Sequence, residues 1–127
     1  MKIFIADDSA LLRERLVALI SDLEGMEVVG LAEDAPGALE AIQRLKPDVA
    51  VLDVRMPGGN GIHVLEAVKR QPGAPLVIML TAFAYPQYRR KCLEAGADFF
   101  LDKTTEFERV AEVLRQLRDQ ADPATRN

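Results

Sequence analysis

Five short apolar runs recur along the chain: Ile3 to Ala6, Val28 to Ala32, Val49 to Leu52, Leu76 to Leu80 and Phe99 to Leu101. None alternates strictly with polar residues, which marks strands covered on both faces, as in a parallel sheet. Between the runs the period turns helical. Leu12, Leu16, Leu19, Ile20 and Leu23 form one stripe, with Arg13, Glu14 and Asp22 off it. Leu39, Ile42 and Leu45 form a second, and Ile62, Leu65 and Val68 a third. Pro86 to Ala95 is a weaker helix with Tyr88, Cys92 and Ala95 on one face, and Phe107, Val110, Leu114 and Leu117 mark the last. Thr104 and Thr105 are candidate caps for that helix, with Glu106 and Glu108 in its first turn. Gly25, Gly30, Pro47, Pro72, Pro75 and Gly96 fall at the breaks. The order is β-α five times over, and right-handed crossovers then put helices on both faces of one parallel sheet.

Composition sets limits on function. A net charge of -4 and a pI near 5.0 argue against direct nucleic-acid binding, which needs clustered Lys and Arg. No apolar run approaches the roughly 20 residues of a membrane span, and the four apolar residues that open the chain are too few for a signal-peptide core. A single cysteine, Cys92, excludes an internal disulfide and fits a reducing cytoplasm. The expectation is one cytoplasmic domain over residues 1–120, with residues 121–127 as a frayed C-terminal tail.

Open parallel sheets bind ligands beyond the carboxyl ends of their strands. The residues just past those ends are Asp7, Asp8 and Ser9 after strand one, Asp53 after strand three, Thr81 after strand four, and Asp102 and Lys103 after strand five. Three carboxylates at a partly desolvated rim repel one another by kilocalories at an effective dielectric of about 20. Their pKa values rise, a lysine pairs with them, or a hard cation binds. Magnesium suits such a set, because it takes a few carboxylates, a carbonyl, waters and a phosphate oxygen. With the charge neutralised, Asp53 could attack phosphorus as a nucleophile, Lys103 would offset charge on the phosphoryl oxygens, and Thr81 would donate to one of them.

Asp7-Asp8, Asp53 with Met56-Pro57 and Gly61, Thr81-Ala82, and Gly96-Ala97-Asp98 leading to Lys103 together resemble the receiver domain of two-component response regulators. The resemblance covers essentially the whole chain. It implies a flavodoxin-like, doubly wound (βα)5 fold with parallel strand order 2-1-3-4-5, which leaves Glu33-Asp34 after strand two at the far edge. It also implies that Asp53 accepts a phosphoryl group from a histidine kinase or phosphotransfer protein. Asp8 and Asp53 would ligate Mg2+, with Asp7 acting directly or through water and the Arg55 carbonyl completing the protein ligands. Thr81 and Phe100 take the switch positions, and phosphorylation would rearrange the surface of helix four, strand five and helix five. Arg55 and Phe83 take positions that tune phosphoryl lifetime, and bulky Phe83 is expected to hinder the attacking water. A phosphorylation-dependent homodimer is a further expectation. Any catalysis is confined to the domain's own phosphorylation and hydrolysis.

One departure bears on geometry. Family members commonly carry proline and a cis peptide after the lysine, whereas Thr104 follows here. A non-proline cis bond costs about 3 kcal/mol, which leaves the conformation of that loop open.

Blander roles remain for several residues. Asp8 or Ser9 would cap the first helix equally well, Thr81 is an ordinary strand-end hydroxyl, and Lys103 an ordinary exposed cation. Cys92 is expected to pack as a small apolar residue, His63 to sit in solvent near a helix start, and Arg89-Arg90-Lys91 to form a solvated face. Among rivals, a flavodoxin-type protein would not place Asp-Asp where a flavin phosphate binds. An aspartate-nucleophile phosphatase needs an acid where Arg55 stands, and neither Gly-rich nucleotide pattern follows strand one. A receiver-like module that binds partners without phosphorylation is the strongest rival, although such modules usually lose an acid, the threonine or the lysine. The stretch VVGLAEDAPGALEAI resembles receivers that precede helix-turn-helix domains, so the output is either a C-terminal effector domain beyond this chain or a separate protein target.

Overall fold

The computed structural model describes residues 1–121; of the expected tail, residues 122–127 lie outside them. Strands β1 (Lys2–Ala6), β2 (Glu27–Ala32), β3 (Val49–Leu52), β4 (Leu76–Thr81) and β5 (Phe99–Asp102) pair in parallel, in the order 2-1-3-4-5. Helices α1 (Ala10–Ser21), α2 (Ala35–Leu45), α3 (Gly61–Lys69), α4 (Pro86–Glu94) and α5 (Arg109–Ala121) connect and follow them. The expected flavodoxin-like architecture is the one observed.

The missing polar alternation has a direct structural cause. Along β1, Phe4 and Ala6 face one layer while Ile3 and Ile5 face the other, and all four are buried. The first layer packs Phe4, Ala50, Leu52, Val77 and Met79 against Ala38 and Ile42 of α2, Leu65 and Val68 of α3, and Cys92 of α4. The second packs Ile3, Val49, Val51, Ile78 and Leu80 against Leu12, Leu16 and Ile20 of α1 and Val110 and Leu114 of α5. Each central strand is therefore apolar on both faces, and two cores clamp it.

Helix starts follow local chemistry. Ser9 caps α1 by accepting the Leu12 N–H at 3.2 Å, Asp34 caps α2 through the Gly37 N–H at 2.7 Å, and Asn60 caps α3 through the His63 N–H at 2.9 Å. The capping alternative for Asp8 is thus decided in favour of Ser9. The last helix departs from expectation: it begins at Arg109, and Thr104 to Glu108 form turns ahead of it, with Phe107 among them. The turn persists because Glu106 returns to Asp102 instead of opening a helix: its N–H donates to the Asp102 carbonyl at 2.8 Å, and its carboxylate accepts the Asp102 N–H at 3.0 Å.

Cys92 is fully buried, and burial pushes its thiol up to about 11. The thiolate is the reactive form, so alkylation near neutral pH is expected to be slower in the folded protein than in denaturant by about two orders of magnitude. The unfolded thiol ionises first, so stability falls as pH rises from the ordinary 9.0 towards 11. Equal alkylation rates in the two states would contradict this burial.

Candidate functional site

Backbone pairing at the carboxyl edge of the sheet fixes where each side chain starts. The Asp53 N–H donates to the Ala6 carbonyl at 3.1 Å, the Asp7 N–H to the Ala32 carbonyl at 3.0 Å, and the Lys103 N–H to the Thr81 carbonyl at 2.8 Å. Asp7 and Asp53 therefore leave adjacent strands side by side, and the ladder carries Lys103 one step past the end of β4.

The side chains converge. Lys103 Nζ donates to Asp7 Oδ2 at 2.6 Å and to Asp53 Oδ2 at 2.8 Å. Asp7 and Asp53 are 2% and 5% exposed, so this ammonium bridges two carboxylates that water hardly reaches. Burial raises the Asp53 pKa above its ordinary value; Lys103 pulls it back down, and the neighbouring Asp7 charge adds to the rise. Burial alone would lower the Lys103 pKa, but its hydrogen bonds to Asp53 and Asp7 and their charges outweigh that and raise it. Of the responses open to crowded carboxylates, lysine pairing and a raised carboxyl pKa are both seen at Asp53.

Asp8 is exposed and completes a triangle. One carboxylate oxygen from each of Asp7, Asp8 and Asp53 lies within 4.8 Å of the other two, a group that could hold a metal ion. An all-oxygen donor set of this kind suits a hard divalent cation. Thr81 is fully buried at the end of β4, and its Oγ1 accepts the Phe83 N–H at 3.0 Å. The Arg55 N–H donates to Asp53 Oδ1 at 3.4 Å, a long bond. The Arg55 guanidinium lies 4.2 Å from the Phe83 ring centroid, so the residues two positions past Asp53 and Thr81 stack on one another. Phe100 is buried, with the Arg89 guanidinium 5.8 Å from its ring centroid. His63 is exposed as expected.

The Lys103–Thr104 peptide is trans. Lys103 reaches both carboxylates from that geometry without the family's proline.

A cavity of about 700 Å³ opens at the opposite rim among Met1, Glu24, Asp48, Leu76 and Arg118.

The family profile described as the response regulator receiver domain matches residues 3–115. This chain is a response regulator receiver domain. It is 36% identical over 116 residues to the uncharacterised transcriptional regulatory protein YvfU of Bacillus subtilis, a match covering 91% of this chain and 58% of that protein. It is 39% identical over 106 residues to protein-glutamate methylesterase/protein-glutamine glutaminase 5 of Myxococcus xanthus, covering 83% of this chain and 30% of that protein. The signal receiver domain of the NarL response regulator from Mycobacterium tuberculosis superposes with a TM-score of 0.85 at 34% identity, covering 91% of this chain and 94% of that one. The receiver domain thus spans 58% or less of these two full-length relatives. Among the described residues no helix is long and apolar enough to cross a membrane.

Three residues that brace the receiver site were not legible as such in the sequence. Arg13, off the apolar stripe of α1, donates to the Asp7 carbonyl at 2.6 Å and reaches Glu33 at 3.9 Å. Glu106 ties the loop behind Lys103. Gly61 is needed for a close approach: a Cβ there would lie 1.8 Å from the Asp53 carbonyl oxygen, while its N–H donates to the Val54 carbonyl at 2.7 Å. A Gly-rich loop signals a turn, but it does not show which glycine touches the backbone of Asp53. Gly61→Ala is accordingly expected to destabilise the domain by roughly 2 kcal/mol or more, read from the urea midpoint. An unchanged midpoint would show that the loop yields without cost.

Proposed function

We propose that this receiver domain is a phosphorylation switch in which Asp53 accepts a phosphoryl group from a phosphohistidine on a histidine kinase or phosphotransfer protein. The supporting observation is the Lys103 bridge between Asp53 and Asp7, with Asp8 beside them. One Asp53 carboxylate oxygen attacks phosphorus, the phosphorus–nitrogen bond to imidazole breaks, and an acyl phosphate forms. Lys103 then faces the phosphoryl oxygens instead of the bare carboxylate, and the Thr81 hydroxyl turns from the Phe83 N–H to donate to one of them.

Asp7, Asp8, Asp53 and the Arg55 carbonyl are the groups proposed to hold Mg2+. Bound there, the cation supplies positive charge to the carboxylates and to a phosphoryl oxygen. Asp53 is the proposed acceptor of the three: Asp8 is exposed, and Asp7 Oδ1 already accepts the Ser9 N–H at 2.9 Å while Asp53 Oδ1 is reached only at 3.4 Å by the Arg55 N–H. The Arg55–Phe83 stack is proposed to shield the acyl phosphate from water and lengthen its life. Phe100, already buried and covered by Arg89, would couple Thr81 to the surface of α4, β5 and α5. Catalysis is confined to the domain's own phosphorylation and hydrolysis. The setting is cytoplasmic, and the output runs through a linked effector domain, a protein target or a homodimer.

Intact mass after incubation with acetyl phosphate and Mg2+ tests this function. The expected result is one phosphoryl group, absent in Asp53→Asn and absent without the metal. Equal uptake by Asp53→Asn would remove Asp53 as acceptor, and no uptake by the parent would favour a module that binds partners without phosphorylation. Phe83→Ala is expected to hydrolyse the acyl phosphate several-fold faster, read as decay of the phosphorylated mass. An unchanged decay would remove the shielding role.

A further inference from the structure

Hydrogen bonds close around Lys103 on both sides. Its own N–H continues the β4–β5 ladder to the Thr81 carbonyl. The Asp102 N–H turns instead to the Glu106 carboxylate at 3.0 Å, while the Glu106 N–H donates back to the Asp102 carbonyl at 2.8 Å. The Thr104 N–H donates to the Asp102 carboxylate at 2.8 Å. Arg109 pairs with the second carboxylate oxygen of Glu106 and donates its N–H to the Glu106 carbonyl at 2.9 Å. Residues 102 and 106 therefore hold each other through main chain and side chain, with Lys103 between them. Strand β5 is the last of the sheet, so its backbone groups must find partners of this kind.

From this geometry we infer that Glu106 is a positioning residue for the phosphoryl-transfer site. Its bond to the Asp102 N–H fixes the turn that aims the Lys103 ammonium at Asp53 and Asp7. The inference rests on the phosphoacceptor role of Asp53 proposed above. A lysine side chain is long and flexible, and it reaches two carboxylates at 2.6 and 2.8 Å only from a fixed backbone. Proline after the lysine would stiffen this turn through its ring; here Thr104 follows, and the Asp102–Glu106 clamp supplies the restraint. The Asp102 N–H first and Arg109 next hold the Glu106 carboxyl below its ordinary range.

The clamp has a signature that loss of folding does not share. Lys103 occupies Asp7 Oδ2 and Asp53 Oδ2, within the cluster that a divalent cation would use. A loosened turn frees those oxygens for the cation and withdraws positive charge from the transferring phosphoryl group. Metal affinity then rises as phosphorylation slows.

The test uses the full chain and four variants: Glu106→Ala, Glu106→Gln, Lys103→Ala and the double Glu106→Ala/Lys103→Ala. Mg2+ affinity is read from amide NMR shifts, and the phosphorylation rate at saturating acetyl phosphate from intact mass. Glu106→Ala is expected to phosphorylate about tenfold more slowly and to bind Mg2+ about threefold more tightly. Glu106→Gln, which keeps an acceptor for the Asp102 N–H, should stay within about twofold of the parent in both. The double variant should be no slower than Lys103→Ala alone. Parental behaviour of Glu106→Ala overturns the inference, as does a parallel fall in rate and affinity or a further slowing in the double variant. A parent that takes up no phosphoryl group sinks the phosphoacceptor role itself, and the inference with it.

Discussion

The Lys103 ammonium between Asp7 and Asp53 makes the rest of the site tenable. Two carboxylates almost removed from water, with a third beside them, destabilise any fold that leaves their charge unanswered. Lys103 answers it at 2.6 and 2.8 Å. The bridge spans β1, β3 and the end of β5, so it works only if the sheet places those three strands in register. The two apolar layers fix that register, and a slip in either would separate Lys103 from Asp53. The cores therefore serve the chemistry by holding three charged groups to the same lip.

Burial and bridging also suit the nucleophilic role proposed for Asp53. Asp53 is desolvated, which raises its pKa, and is at the same time held by a cation that favours its charged form. A carboxylate in bulk water is hydrated and unselective. At this lip, one oxygen is bound by Lys103 and the other is reached only weakly by the Arg55 N–H. For the proposed transfer this is electrostatic preorganisation: the positive charge would stand in place before phosphorus arrives.

The fold was legible because each strand faces two cores, which writes an uninterrupted apolar run, and each helix faces one, which writes a stripe. Strand ends were legible for the same reason, so Asp7, Asp53, Thr81 and Lys103 could be picked out as the first residues past the buried segments. The start of α5 was not. Thr104, Thr105, Glu106 and Glu108 have the composition of a capped first turn, and only the return of Glu106 to Asp102 shows that the chain spends them on a loop. The bracing contacts of Arg13 and Gly61 were hidden for a related reason, although Gly61 itself belongs to the motif that carries the resemblance. Their importance lies in contacts with the main chain of Asp7 and Asp53, and spacing in the sequence carries no record of such contacts.

The central proposal is that Lys103 and a divalent cation answer the same cluster of carboxylates. A Mg2+ titration of the unphosphorylated protein, followed by NMR at the Lys103 ammonium and at the amides of Asp7, Asp8 and Asp53, measures this directly. The account predicts one saturable transition in which the ammonium signal and all three amides move with a common midpoint. An ammonium signal that stays fixed while the amides titrate, or the absence of any saturable shift at these residues, would contradict it.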